Sequence, residues 1–225
     1  MKRVVLLTAI GATTIGTMSA QNKPAAGEHT LEVNFAPLGG SPVSIAGIKY
    51  RSFSSETSAF RLGIFLGYGN TSKVTQDEDA ANSLVELKDT DGNFSINLQP
   101  GIEKHFTGTD RLSPYIGGVL NLGYGMTNKR EEQQVLNNAV GAKITKGGSL
   151  DIGLNAVAGF DFYMASKLYL GTEIGFGVAM HKDLTDNVSW ENVTGATDSE
   201  SNVDNKSSLQ VGPNVIGQLR LGWVF

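Results

Sequence analysis

Ser207-Ser208-Leu209-Gln210-Val211-Gly212-Pro213-Asn214-Val215-Ile216-Gly217-Gln218-Leu219-Arg220-Leu221-Gly222-Trp223-Val224-Phe225 closes the chain. Leu209, Val211, Pro213, Val215, Gly217, Leu219, Leu221, Trp223 and Phe225 fall on one parity. Gln210, Gly212, Asn214, Ile216, Gln218, Arg220, Gly222 and Val224 fall on the other, which is largely polar or small. A period of two with one apolar and one polar or small face is a β-strand between two unlike surroundings. The ends of water-soluble domains usually fray, so a strand that finishes Trp-Val-Phe needs another reason. Lipid on one side and a polar lumen on the other supplies it.

Seven more segments alternate upstream: 30–38, 43–53, 58–70, 92–106, 112–126, 149–163 and 167–181. Leu31, Val33 and Phe35 share a side in the first, with Glu32 and Asn34 opposite. In the second, weaker segment we place Ala46, Ile48 and Tyr50 outward. The opposite choice would put Lys49 and Arg51 in lipid, at roughly 2–4 kcal/mol each near the midplane. Most segments exceed the 9–11 or so residues a tilted strand needs to cross a bilayer. Connections one, three, five and seven are 39–42, 71–91, 127–148 and 182–206; two, four and six are 54–57, 107–111 and 164–166. Except for the tight first turn, Gly39-Gly40-Ser41-Pro42, this is the asymmetry of long outer loops and short periplasmic turns. Pro100 and Pro213 lie inside these segments and predict a bulge or break, because proline cannot donate to a ladder.

The expectation is an all-β fold, an eight-stranded antiparallel up-and-down transmembrane barrel with polar side chains filling the lumen. It occupies residues 30–225. Residues 1–20 read as a signal peptide, with Lys2 and Arg3 before an apolar run and a cut at Ala20–Gln21 or one residue earlier. Residues 21–29 form a periplasmic tail. The formal net charge is −4 and falls further once Lys2 and Arg3 are removed, which argues against nucleic acid as a partner. With no cysteine, disulfides, thiolate metal sites and lipoprotein anchoring are excluded. Glycine takes 28 of 225 positions, well above the usual ~7%, and suits crowded interiors and turns better than helices.

A soluble lipocalin-like barrel shares strand number and alternation but turns its apolar side inward. The terminal aromatic, the charge and glycine on the small face, and aromatics near segment ends favour lipid outside. Phe60, Phe106, Phe162, Trp223 and Phe225 are expected in the periplasmic girdle, and Tyr68, Phe94 and Tyr124 in the outer one.

Gly47-Ile48-Lys49-Tyr50-Arg51, Phe60-Arg61-Leu62-Gly63, Ser113-Pro114-Tyr115-Ile116-Gly117 and Leu221-Gly222-Trp223-Val224-Phe225 resemble the small outer-membrane β-barrels of gram-negative bacteria, the OmpA/OmpX-like, porin-superfamily domains. The resemblance covers nearly all of the mature chain and is specific to no activity. It implies that Trp223 and Phe225 form part of the signal read by the outer-membrane assembly machinery. Arg220 stands where that signal prefers glycine.

Glu32, Lys49, Arg51, Arg61, Glu103, Asp161, Glu173 and Arg220 form the expected lumen charge network. The strand order pairs Glu32 with Lys49, Arg61 with Glu103, and Glu173 with Arg220. A small barrel is just wide enough for side chains to fill it, and charges there need partners. A structural plug and a proton or ion path both fit these residues. His29, His105 and His181 are too scattered to ligate a metal. Neither His105 nor His181 has a serine close by in sequence, as a lipid-modifying His/Ser pair would. No catalytic residue and no cofactor is implied. Asp89-Thr90-Asp91-Gly92-Asn93 resembles half a calcium loop without its later glutamate, and reads as a polar turn. Residues 83–88 are a candidate extension of the fourth strand beyond the membrane.

Loops 71–91 and 182–206 are acidic, and loop 127–148 is mildly basic. Asp77, Glu78, Asp79 and Trp190 are the interaction candidates. The expected role is non-enzymatic, structural or in surface interaction, for a monomer in contact with membrane lipid and lipopolysaccharide. A small passive pore and an outer-leaflet lipid enzyme stay open as rivals.

Overall fold

The computed structural model describes residues 23–35, 45–78, 84–135, 139–201, 206–213 and 218–225. The expected signal, the Gly39–Pro42 turn and Asp79 lie outside them. Among the described residues, eleven strands form one antiparallel sheet: β1 His29–Phe35, β2 Ile45–Ser55, β3 Ser58–Glu78, β4 Leu84–His105, β5 Leu112–Gln134, β6 Val140–Ala165, β7 Leu168–Asp183, β8 Asp186–Glu191, β9 Ser199–Ser201, β10 Ser207–Pro213 and β11 Gln218–Val224. Strands β1 to β7 pair in sequence, β10 and β11 both pair with β7, and β11 returns to β1 through Thr30↔Val224 to Phe35↔Leu219. Counting β10 and β11 as one interrupted strand, eight strands close a ring.

The two faces of the wall are inverted relative to a water-soluble barrel. Ile102 is 68% exposed on the outside while Arg51 is 0% exposed within. The eight aromatics expected in the girdles, Phe60, Tyr68, Phe94, Phe106, Tyr124, Phe162, Trp223 and Phe225, all lie exposed on the outer face. Inside, near the end that carries both termini, Tyr115, Tyr163, Tyr169, Phe53 and Val224 are buried among charged groups. The inward positions of the other half are largely glycine, serine and asparagine.

Strands β3, β4, β5 and β6 contain 21, 22, 23 and 26 residues, about twice what a crossing requires. The stretches expected as loops, 71–91 and 127–148, are therefore mostly strand. Thr71↔Asp91 continues to Glu78↔Leu84, and Thr127↔Gly147 to Gln134↔Val140. The Asp89–Asn93 run is extended backbone within β4, not a turn. Once the hairpin leaves the bilayer, neither face has to be apolar, so pairing continues without a hydrophobic signature. Strand β6 changes partner there: Ser149–Ala165 pairs with β7, and Ala142–Lys146 with β8, which in turn holds β9. Beyond the ring the sheet reads β3-β4-β5-β6-β8-β9.

Both prolines leave a mark. Pro100 pairs with Leu62, but the β4–β5 ladder lacks the pairs between Leu98↔Leu122 and Gly101↔Val119, with register unchanged. Between β10 and β11 the register does shift: Pro213 opposes Phe176 and Gln218 opposes Glu173, an offset of two residues. An even shift preserves parity, and Leu209, Val211, Leu219, Leu221 and Trp223 all remain outward.

Candidate functional site

The lumen at the termini end holds all eight predicted charges in one cluster of four bases and four acids. Arg51 projects from β2 and meets Glu32 at 2.7 Å, Asp161 at 2.8 Å and Glu103 at 2.9 Å. Arg61, on β3, holds Glu173 through both terminal nitrogens, at 2.6 and 3.0 Å, and Glu103 at 2.9 Å. Arg220, on β11, reaches Glu32 at 2.8 Å and Asp161 at 3.2 Å. Lys49 lies 3.0 Å from Glu32, 3.6 Å from Glu173 and 3.9 Å from Glu103. Seven of the eight are buried, and Glu173, at the upper edge, is the partly open one. Such charges are tolerable without water only when each is matched.

Adjacent strands alone do not set the pairing. Glu32 and Lys49 oppose each other in the register, and Arg61 meets Glu103 as expected from neighbouring strands. Glu173 does not pair with Arg220. The register sets Arg220 opposite Gly171, while Glu173 faces Gln218 and reaches across the lumen to Arg61. Gly171 lets Arg220 and Asp161 approach over it, because a Cβ there would lie 2.6 Å from Asp161 Oδ1 and 2.7 Å from Arg220 Nη2.

Two tyrosines complete the cluster. Tyr115 donates to Glu173 at 2.5 Å, and Tyr169 donates to Glu32 at 2.8 Å while accepting from Arg51 at 2.7 Å. The Arg51 guanidinium also lies 5.2 Å from the Tyr169 ring centroid. Both tyrosines have the inward parity, and each opposes a glycine, Tyr115 with Gly159 and Tyr169 with Gly222. An inward aromatic opposite a glycine was the legible signal.

A serine does lie beside His105, contrary to the expectation from sequence neighbours. The β4–β5 register sets His105 opposite Tyr115, which brings Ser113 Oγ to 3.0 Å from Nδ1. Nε2 lies 3.2 Å from Glu103. Serine, histidine and carboxylate thus stand in catalytic order, but all three are buried. The imidazole is also flanked by the Phe53 and Tyr115 rings at 5.2 and 5.1 Å. A nucleophile needs a reachable substrate carbon, and Ser113 is only 4% exposed.

His29 begins β1, where Nδ1 meets the Tyr50 hydroxyl at 2.8 Å. His181 sits one residue beyond Met180, the last apolar outward residue of β7, at the far rim. Hydrogen bonds to Asp151 at 2.7 Å and Asp183 at 3.0 Å raise its pKa above the ordinary histidine value. Trp190 belongs to β8 rather than a free loop and is half-buried, with Lys143 Nζ 6.0 Å from its ring. Asp77 lies in the upper part of β3, and the side chain of Glu78 is outside the description.

A closed ring, an apolar outside and a charged inside are matched by a model of the putative OmpA-OmpF-like porin family over residues 47–183. The chain belongs to that family. No curated protein and no solved structure matches it. Family and fold together make this chain an outer-membrane β-barrel protein. The matched span runs from β2 to the end of β7, while the seam that closes the ring, β1 with β11, lies outside it.

Proposed function

We propose that this outer-membrane barrel is a non-enzymatic, non-conducting scaffold that carries an interaction sheet on the cell surface. Its termini face the periplasm and its long hairpins face outward. The observation that carries the reading is the matched cluster of Lys49, Arg51, Arg61 and Arg220 with Glu32, Glu103, Asp161 and Glu173 across the lumen. Opening a path through it would strand several buried charges together, at a few kcal/mol each.

The surface role is supported by the six-stranded extension. Among the described residues, Ser72–Gln76 of β3 pairs with β4 alone, which leaves its other edge of backbone donors and acceptors for an added strand. Open edges are the usual template for an added strand. Arg130, bound to Glu191 at 2.6 Å, stiffens the opposite half. Lipopolysaccharide beside the wall, a monomeric state and the reading of Trp223 and Phe225 by the assembly machinery belong to the same proposal.

Planar-bilayer recording tests it. The wild-type protein is expected to give no steady conductance. Ohmic conductance that changes when Glu103 or Arg61 is neutralised would establish the pore instead. Altered acyl chains in membrane lipids on overexpression would establish an enzyme. Trypsin added to intact cells should cut the 71–91 and 127–148 hairpins, and protection there would reverse the topology.

A further inference from the structure

A groove of about 620 Å³ indents the outer wall near the termini end. It runs across β3, β4 and β5, along the outward rows Phe60↔Ile102↔Gly118 and Ser58↔Lys104↔Ile116. Phe60 and Ile116 wall it, and Ile102 lines its apolar part. Gly118 leaves the floor open, since a Cβ there would meet nothing within 4 Å. At the polar end stand Ser54, Ser58 and Lys104.

Lys104 is the one charged side chain in the outward row of β4 from Phe94 to Phe106. Its Nζ donates to Thr57 Oγ1 at 2.8 Å. No carboxylate of the described residues lies within ion-pair distance of it. A cation on the lipid face is destabilising in proportion to its depth, and elsewhere in this molecule charges that leave water are matched.

We propose that this groove holds one anionic glycerophospholipid of the periplasmic leaflet. Its phosphate accepts from Lys104 and from the Ser58 hydroxyl. One acyl chain lies over Ile102 in the space above Gly118. The volume falls within the range of pockets that enclose a single small ligand. The choice of leaflet rests on the topology proposed above; the groove and its charge do not.

Native mass spectrometry of the folded protein tests this, in micelles doped with phosphatidylglycerol, phosphatidylcholine or lipopolysaccharide. Wild type is expected to retain one phosphatidylglycerol at five-fold or greater occupancy over phosphatidylcholine. Lys104→Gln should remove that preference. Gly118→Phe, which fills the floor, should lower occupancy of both phospholipids. Lys182→Gln, the same charge change at the other end of the wall, should alter nothing. A heat-shift gel establishes that each variant is folded. The proposal is overturned if Lys104→Gln keeps the wild-type preference, if Lys182→Gln loses as much, or if Gly118→Phe binds as before. Preferential retention of lipopolysaccharide would overturn the assigned leaflet. Conductance in bilayers would sink the scaffold reading while leaving this one intact.

Discussion

Gly222 lies opposite Tyr169, and the place of its missing Cβ is taken by the tyrosine ring. Gly222→Ala should therefore force the ring away from Arg51 and Glu32, destabilising by about 1–3 kcal/mol in urea unfolding from lipid vesicles. Arg61 is a stronger case. Arg61→Met leaves Glu173 without its two-pronged partner and should lose about 3–5 kcal/mol. A double-mutant cycle with Glu173→Gln should show coupling above about 1 kcal/mol, and additivity would refute the pairing. His181 titrates on the open rim. Its bonded, charged form is favoured by the fold, so its contribution is complete below the ordinary histidine pKa of ~6.5. That contribution fades as pH rises through the raised value. An NMR titration should place its midpoint above that of a free histidine, and Asp151→Asn should bring it down.

Among the elements, the upper hairpins separate from the barrel in principle. Replacing residues 73–89 by a two-residue turn should leave a folded barrel with an unchanged heat shift, because β3 and β4 remain paired from Ser58↔Lys104 up to Ser72↔Thr90 at most. Loss of the shift would mean that the extension helps to hold the ring. The bilayer-crossing parts of every strand were legible, since lipid imposes an apolar residue at each second position. Above the membrane that demand lapses. Lys73, Gln76 and Glu86 carry no alternating hydrophobicity, and their pairing follows only from continuing a ladder already begun below. Pro100 was legible as a break but not as one confined to a single side. A proline interrupts only the ladder its missing N–H would have entered, and which neighbour that is depends on register.

For the molecule as a whole, the charged residues were legible as inward because each shares parity with glycine or, for Glu32, with Thr30 and Asn34, and opposes an apolar outer face. Their partners were only partly so. Sequence order brings neighbouring strands together, but Arg61 to Glu173 and Arg51 to Asp161 cross the lumen, and only the closed ring supplies those distances. The same holds for Ser113 beside His105, a contact made by register. The resulting interior is neutral in sum and matched group by group. Salt should accordingly have little effect on stability in urea, because buried pairs are poorly screened. A steep salt dependence would show that water and ions reach the cluster.

The seam between β1 and β11 joins the first strand to the last and closes the ring. Arg220 binds Glu32 directly across this seam. It works as a rivet, fastening the first strand to the last. With Arg220→Met, amides of Val33 and Leu221 should exchange faster while those of Leu122 and Ile152 keep their protection.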